Sequence, residues 1–385
     1  MINETRIKEH FLDLVQIDSE AGNEAAVAEA LKQQLAGLGA SVTQDRAGQA
    51  INSNSGNIIA TIPGTVLHAP SLLLCAHMDT VVPGNGVKPV MEGPIIHSDG
   101  TTILGGDDKS GIAIIFEAIR AAREQRIPTG DLEVVFTISE EKGLQGARAM
   151  DTSVLRSKFG LVFDSDEPGV LFTRAPAANH LEWRITGKAA HAGVAPERGL
   201  SAISVASEAI AHMRLGRIDF ETTANIGIIH GGAATNIIPA EVVVHGECRS
   251  RDAAKLAAQT RHMLQCFEEA AARHTMALDD LTVTATVDPT VIEAYGAMNV
   301  ADDAPIVQLV LAAGREAGSP VPIKAMGGGC DANIFNGRGI SVANLGTGMR
   351  DIHTTKEWLD VRDMVKTTRI VVEMLRLHAA QAPGV

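Results

Sequence analysis

The sequence predicts an α/β fold: a mostly parallel central sheet flanked by helices, interrupted by an inserted ferredoxin-like α+β domain. Three observations predict it. Short apolar runs alternate with helical stretches up to about residue 177, the pattern of a parallel sheet covered on both faces. Near Ala178 the order becomes β-α-β-β-α-β. After about Tyr295 the first pattern resumes. A chain of 385 residues is also too long for one ordinary core. The expected division is 1–177 with 292–385 as one domain and 178–291 as the insertion, about 115 residues and within the usual domain range.

In order, the periodicity predicts helices over Arg6–Val15 and Glu24–Leu38, then a buried strand at Ser71–Ala76. Gly111–Glu124 reads as helix, and Leu132–Ile138 and Gly160–Phe163 read as strands. Within the insertion, Leu181–Thr186 alternates like a half-buried strand and Ser201–Met213 is an Ala-rich helix. Strands follow at Asn225–Ile229 and Glu241–Glu247, then a long amphipathic helix Ala253–His274 and a final strand Leu281–Val287. The resumed pattern gives helix Pro305–Ala317, strand Ile340–Leu345 and helix Val361–Ala380.

Composition narrows the function. Apolar residues at 45% supply a core, and 21% charged residues is a globular value, which argues against wholesale disorder. A net charge of −13 speaks against nucleic acid or an anionic membrane as partner, since both need clustered Lys and Arg. Cys75, Cys248, Cys266 and Cys330 show no C-x-x-C pairing, so neither a disulfide framework nor a zinc ribbon is expected. The first residues lack an apolar signal core and no apolar run reaches membrane-spanning length, so a cytoplasmic location is expected.

Open parallel sheets place their sites beyond the carboxyl ends of the strands. Here four strands lead into metal-capable residues: His77-Met78-Asp79, Glu140-Glu141, Asp164, and a Gly-rich loop running to His353. Asp107 joins them from Gly105-Gly106-Asp107-Asp108-Lys109-Ser110-Gly111, just before a helix. Each has an ordinary explanation. Asp107 and Asp108 suit a helix N-terminus. Glu140 and Glu141 could be solvated loop charge beside Lys142, Asp164 part of an acidic turn, and His353 a loop histidine. Five such groups on one sheet edge is the observation that favours metal. His77 and Asp79 lie two apart, so in extended chain they face the same way, and the carboxylate can fix the imidazole tautomer.

The motifs Cys75-Ala76-His77-Met78-Asp79-Thr80, Gly106-Asp107-Asp108-Lys109-Ser110-Gly111 and Glu140-Glu141-Lys142-Gly143-Leu144-Gln145-Gly146, with the late His353, resemble those of the co-catalytic di-zinc peptidases. That family includes peptidase T, glutamate carboxypeptidases, aminoacylases and the desuccinylases. The resemblance covers nearly the whole chain, and Asp107-Asp108-Lys109 with Asn85–Pro89 is most similar to the peptidase T-like branch. It implies two zinc ions per chain, with manganese or cobalt suiting the same donors. His77 and Asp164 would hold one ion, Glu141 and His353 the other, and Asp107 both. It further implies Asp79 as the orienter of His77, Glu140 as general base and a cis peptide after Asp107. The insertion resembles the family's lid and dimerisation domain, which implies a homodimer. His191 matches the histidine that reaches the partner subunit's site, while Asn236, Arg249 and Gly328, in Gly327-Gly328-Gly329, match substrate-binding positions. A local pair with Asp252 is the alternative for Arg249.

The expected activity is two-metal hydrolysis of an amide bond in a small peptide, most like a tripeptide aminopeptidase. Dipeptidase, carboxypeptidase and N-acyl-amino-acid deacylase chemistry on the same site stay open, as does a non-catalytic binding protein. A Rossmann oxidoreductase would need a G-x-G-x-x-G turn, and a serine hydrolase a G-x-S-x-G elbow; neither is found.

Overall fold

The computed structural model describes residues 2–278 and 280–380; positions 1, 279 and 381–385 of the expected ranges lie outside it. The chain divides into two compact units, Met1–Ala175 with Met298–Met326 and Cys330–Val385, and Pro176–Ala297 with Gly327–Gly329.

The elements used below run in chain order: α1 (Glu4–Val15), α2 (Ala25–Gly37), β1 (Ser41–Gln44), β2 (Ile58–Ile62), β3 (Leu72–His77), α3 (Gly106–Glu124), β4 (Leu132–Thr137), β5 (Phe159–Val162), β6 (Leu171–Ala175), β7 (Ala177–Thr186), α4 (Ala202–His212), β8 (Thr222–Gly231), β9 (Glu241–Ser250), α5 (Ala253–Arg273), β10 (Thr286–Tyr295), β11 (Met298–Asn299), α6 (Pro305–Glu316), β12 (Ile323–Ala325), α7 (Asp331–Gly337), β13 (Ser341–Leu345) and α8 (Val361–Ala380).

In the first unit, nine strands form one sheet in the order β1-β2-β4-β3-β5-β13-β6-β11, with β12 alongside β6. The centre is parallel, with β4, β3, β5 and β13 running together; β12 also pairs parallel with β6, while the β1–β2, β2–β4, β6–β13 and β6–β11 pairs are antiparallel. The sheet is mixed, with a parallel centre, within the expected α/β class. Burial follows this order: β3 and β4 are buried along their whole length and read as continuous apolar runs, β2 alternates, and the edge strand β1 is mostly exposed. The cores of α1, α3, α6 and α8 join these strands in one apolar cluster. All four cysteines are buried and unpaired.

The second unit orders its main strands β8-β9-β7-β10, antiparallel throughout, with Gly216–Arg217 beyond β8. Trp183 stacks on Phe267 at 4.5 Å beneath α4 and α5. The expected final strand Leu281–Val287 splits in two. Leu281–Thr284 forms a small hairpin with Thr275–Leu278, and β10 is the strand that joins the sheet, beside β7. Periodicity located the apolar residues but not the break at Ala285, which is buried between the two segments. Among the described residues, no helix is long and apolar enough to cross a membrane.

His10 lies in the α1–α3 contact, edge-on to Phe116 at 5.1 Å and 8% exposed. Burial, helped by the charge of Arg120, pulls its imidazole down to about 4, against a weaker pull from Gln34. A group protonated more readily in the unfolded chain stabilises the fold fully above its unfolded value of about 6.5, and that contribution is lost as pH falls towards 4. The full shift corresponds to about 3 kcal/mol. Replacing His10 with Leu is expected to flatten the fall in unfolding free energy between about pH 7 and pH 4 by that order, read by urea titration at several pH values.

Candidate metal centre

The four parallel strands end side by side, and their carboxyl ends carry the metal-capable residues. His77 closes β3, Glu140 and Glu141 follow β4, Asp164 follows β5, and His353 sits beyond β13. Asp107 enters from the first turn of α3. That helix begins at Gly106, earlier than the expected Gly111, but Asp107 and Asp108 have non-helical backbones and are joined by a cis peptide.

The side chains converge. His77 Nε2 lies 3.0 Å from Asp107 Oδ1, and His353 Nε2 lies 3.2 Å from Asp107 Oδ2. Each oxygen of one carboxylate therefore faces a different imidazole. His353 Nε2 also meets Glu141 Oε1 at 3.0 Å. Donor atoms of His77, Asp107 and Glu141 lie within 4.8 Å of one another, and so do those of His77, Glu140 and Asp164. Glu140 thus stands on the His77–Asp164 side and Glu141 on the His353 side, consistent with adjacent residues turned opposite ways.

Asp79 acts differently from the simple orienter that His-x-Asp spacing suggests. The His77 Nδ1 contact is with the backbone oxygen of Asp79, at 2.9 Å; the carboxylate is 3.5 Å away. That carboxylate instead accepts the N–H groups of Glu140 and Glu141 at 2.9 and 3.1 Å. Asp79 therefore ties the β3 end to the β4 end. Asp108 accepts the backbone N–H of His77 at 3.1 Å.

One residue was missed entirely. Glu357, 1% exposed, accepts the N–H groups of Leu104, Gly105 and Asp107 at 2.8, 2.8 and 3.0 Å. Gly105 is left-handed, with φ of 80°, which lets the loop turn its amides onto this one carboxylate. Asp331 is also buried and accepts the Thr137 hydroxyl at 2.5 Å. No local signal marks Glu357, because its partners lie about 250 positions away.

Electrostatics show what the cluster needs. Burial pushes the carboxyl groups of Asp164 and Glu140 well above their ordinary range, and negative neighbours add to it, Asp107 for the former and Asp164 for the latter. Burial and Asp107 likewise raise Glu141. Asp107 goes the other way: burial raises it, but His353 and His77 outweigh burial. Hydrogen bonds donated to Asp107 and Glu141 hold the His353 imidazole up to about 10. The cluster collects negative charge in a dry place, where unpaired charge is costly. Carboxylate oxygens and imidazole nitrogens at this spacing fit divalent cations. Thiolates are not in the set: burial, then Asp331 and Asp164 respectively, keeps the Cys75 and Cys330 thiols protonated. A cleft of about 800 Å³ is lined by Asp166, Glu167, Asp351, Ile352 and Trp358, with none of the metal-capable side chains in its wall.

The remaining expected residues lie in the second unit, in two pairs. His191 is exposed on a two-residue strand that pairs with Ile237–Ile238, and the N–H of Ala192 donates to the backbone oxygen of Asn236 at 2.9 Å. Arg249 neighbours Gly328: a Cβ there would stand 3.9 Å from Arg249 Nη1. The partner of Arg249 is not Asp252, which caps α5, but Glu247.

A mixed sheet whose parallel centre ends in a buried carboxylate–histidine cluster defines a metal-dependent hydrolase. Residues 73–377 match Peptidase family M20/M25/M40, and the chain belongs to that family. It is 43% identical to the protein YqjE of Bacillus subtilis (strain 168), over 97% of this chain and 99% of that one. Among solved structures it is similar to the aminopeptidase PepT of Bacillus cereus ATCC 10987 (41% identity, TM-score 0.88, covering 99% of this chain and 100% of that one). It is also similar to a tripeptidase of Staphylococcus aureus subsp. aureus Mu50 (38% identity, TM-score 0.92, 99% and 100%).

Glu357→Ala is expected to leave three buried N–H groups unpaired, destabilising the fold by about 3 kcal/mol and weakening metal affinity about 10–100-fold. Urea unfolding and zinc titration of the metal-stripped protein check this. Unchanged metal affinity would separate Glu357 from the centre.

Proposed function

We propose that the protein is a two-metal aminopeptidase that releases the N-terminal residue from tripeptides. The observation that carries this reading is the Asp107 carboxylate, whose two oxygens each face a separate histidine at 3.0 and 3.2 Å. The named activities of the B. cereus and S. aureus structures support the choice of substrate.

His77 and Asp164 would hold one cation, Glu141 and His353 the other, and Asp107 both. Zinc is the proposed metal, with manganese or cobalt compatible with the same donors. When bound, the pair supplies Lewis acidity towards water and the scissile carbonyl. Glu140 takes the proton from the attacking water and carries it to the leaving amine. Its environment suits that work, since burial and Asp164 favour the protonated carboxyl it must pass through. Asp79 keeps Glu140 and Glu141 on their separate sides by holding both amides. His191, Asn236, Arg249 and Gly328 would contact substrate, with His191 donating to the oxyanion. The second unit would serve as lid and homodimer contact, and the protein would act in the cytoplasm.

The test is metal content of the purified protein, followed by hydrolysis of tripeptides, dipeptides and N-acyl amino acids before and after chelation and metal add-back. Close to two metals per chain, with metal-restored release of an N-terminal residue, is the expected result. Metal bound with only acyl-amino acids cleaved would move the assignment to a deacylase. Glu140→Ala is expected to keep its metal and lose about 10²–10⁴ in kcat; near-parental turnover in that variant would remove Glu140 as the base.

A further inference from the structure

Asn344, fully buried on β13, pairs with Val162, the last residue of β5. Two positions on, at Asp164, the chain has left the ladder, and its backbone N–H and C=O need partners other than a strand. The Asn344 side chain takes both. Its Oδ1 accepts the Asp164 N–H at 2.9 Å, and its Nδ2 donates to the Asp164 carbonyl oxygen at 2.5 Å. A carboxamide carries one acceptor and one donor side by side, as a peptide group does, so it extends the ladder by one step. The pair of bonds also fixes which end is oxygen, since the reverse orientation would set donor against donor and acceptor against acceptor.

The same nitrogen reaches two sulfurs, Met326 Sδ at 3.3 Å and Cys330 Sγ at 3.4 Å. Every polar atom of the side chain is therefore engaged, and one rotamer satisfies them all. The clamp is also neutral. Elsewhere in the centre the side chains that hold backbone amides are carboxylates: Asp79, Asp108 and Glu357. Asp164 is already crowded by burial and by the charge of Asp107. A carboxylate at position 344 would add to that charge and would repel the Asp164 carbonyl, whereas an amide does neither.

We propose that Asn344 is the positioning residue for Asp164, and that it sets the affinity of the cation shared by His77 and Asp164 while leaving the one at Glu141 and His353 unaffected. The inference rests on the two-cation reading of the centre. The donor atoms of His77, Glu140 and Asp164 already lie within 4.8 Å of one another, so the Asp164 carboxylate has to stay where its backbone puts it. An aspartate side chain is short, and a small shift of its Cα carries the carboxylate out of reach. Asn344 holds the N–H and C=O on either side of that Cα, which fixes both its position and the direction of its side chain.

The experiment titrates zinc into the metal-stripped full chain by calorimetry, for the parent, Asn344→Leu, Asn344→Ala, Asp164→Ala and the Asp164→Ala/Asn344→Leu double variant. The parent is expected to show two tight steps per chain. Asn344→Leu fills the space without a donor or acceptor, and is expected to keep one step and weaken the other about 10–100-fold. Asn344→Ala, which avoids any strain from the leucine, is expected to weaken the same step. Asp164→Ala is expected to keep a single tight step, and adding Asn344→Leu to it is expected to change nothing further, because the two residues act as one unit. A parent that binds fewer than two zinc ions removes the two-cation reading and this inference with it. Two parental steps in both Asn344 variants, or a further loss when Asn344→Leu is added to Asp164→Ala, overturns the positioning role and leaves the two-cation reading standing. Thermal midpoints of the metal-free proteins are read alongside. Weakening of both steps in both Asn344 variants, with lowered midpoints, is a folding defect and overturns the inference.

Discussion

Asp107 sits between two imidazoles, one per oxygen, and the surrounding architecture holds it there. A carboxylate shared in this way must present both lone-pair directions at once, so its backbone has to be placed more tightly than a flexible loop allows. Three devices do this. The left-handed Gly105 sets the approach of the chain. Glu357 gathers the amides of Leu104, Gly105 and Asp107 onto one acceptor. Asp108 then bonds the His77 amide, linking the helix start to the end of β3.

The same logic extends outward. Glu140 and Glu141 are adjacent, yet they join different donor groups, which requires the turn after β4 to be rigid. Asp79 takes both of their amides, and Glu24 accepts the N–H and hydroxyl of Ser139 just before them at 3.0 Å. The outer carboxylates work as backbone acceptors, so they organise the loops without competing for a cation. Their charge still adds to a buried negative field, which a cation would offset.

Much of this was legible in the sequence because it is local. A buried parallel strand is a continuous apolar run, its end is marked by the first polar residue, and the sites of open sheets gather at those ends. His77, Glu140, Glu141 and Asp164 could be placed that way, and the structure brings them together. What escaped depended on contacts distant in sequence. Glu357 looks like one more charge in a C-terminal loop. Asp79 has the right spacing to orient His77, but its carboxylate is engaged by the neighbouring strand end. Glu247 was passed over for Asp252 because both flank Arg249, and only the strand geometry chooses between them. The antiparallel edges of the sheet and the break at Ala285 carry no distinct period.

Gly327–Gly329 clusters with the second unit although the residues on both sides belong to the first. The chain therefore passes between the units four times, at residues 175/176, 297/298, 326/327 and 329/330. A second unit encoded as one continuous insert could be exchanged between relatives by a single cassette. This one cannot, since Tyr295 packs on Gly329 across a stretch of first-unit sequence. The two segments must be inherited together, and a chimera carrying only residues 176–297 would bring a tyrosine whose glycine partner belongs to another parent.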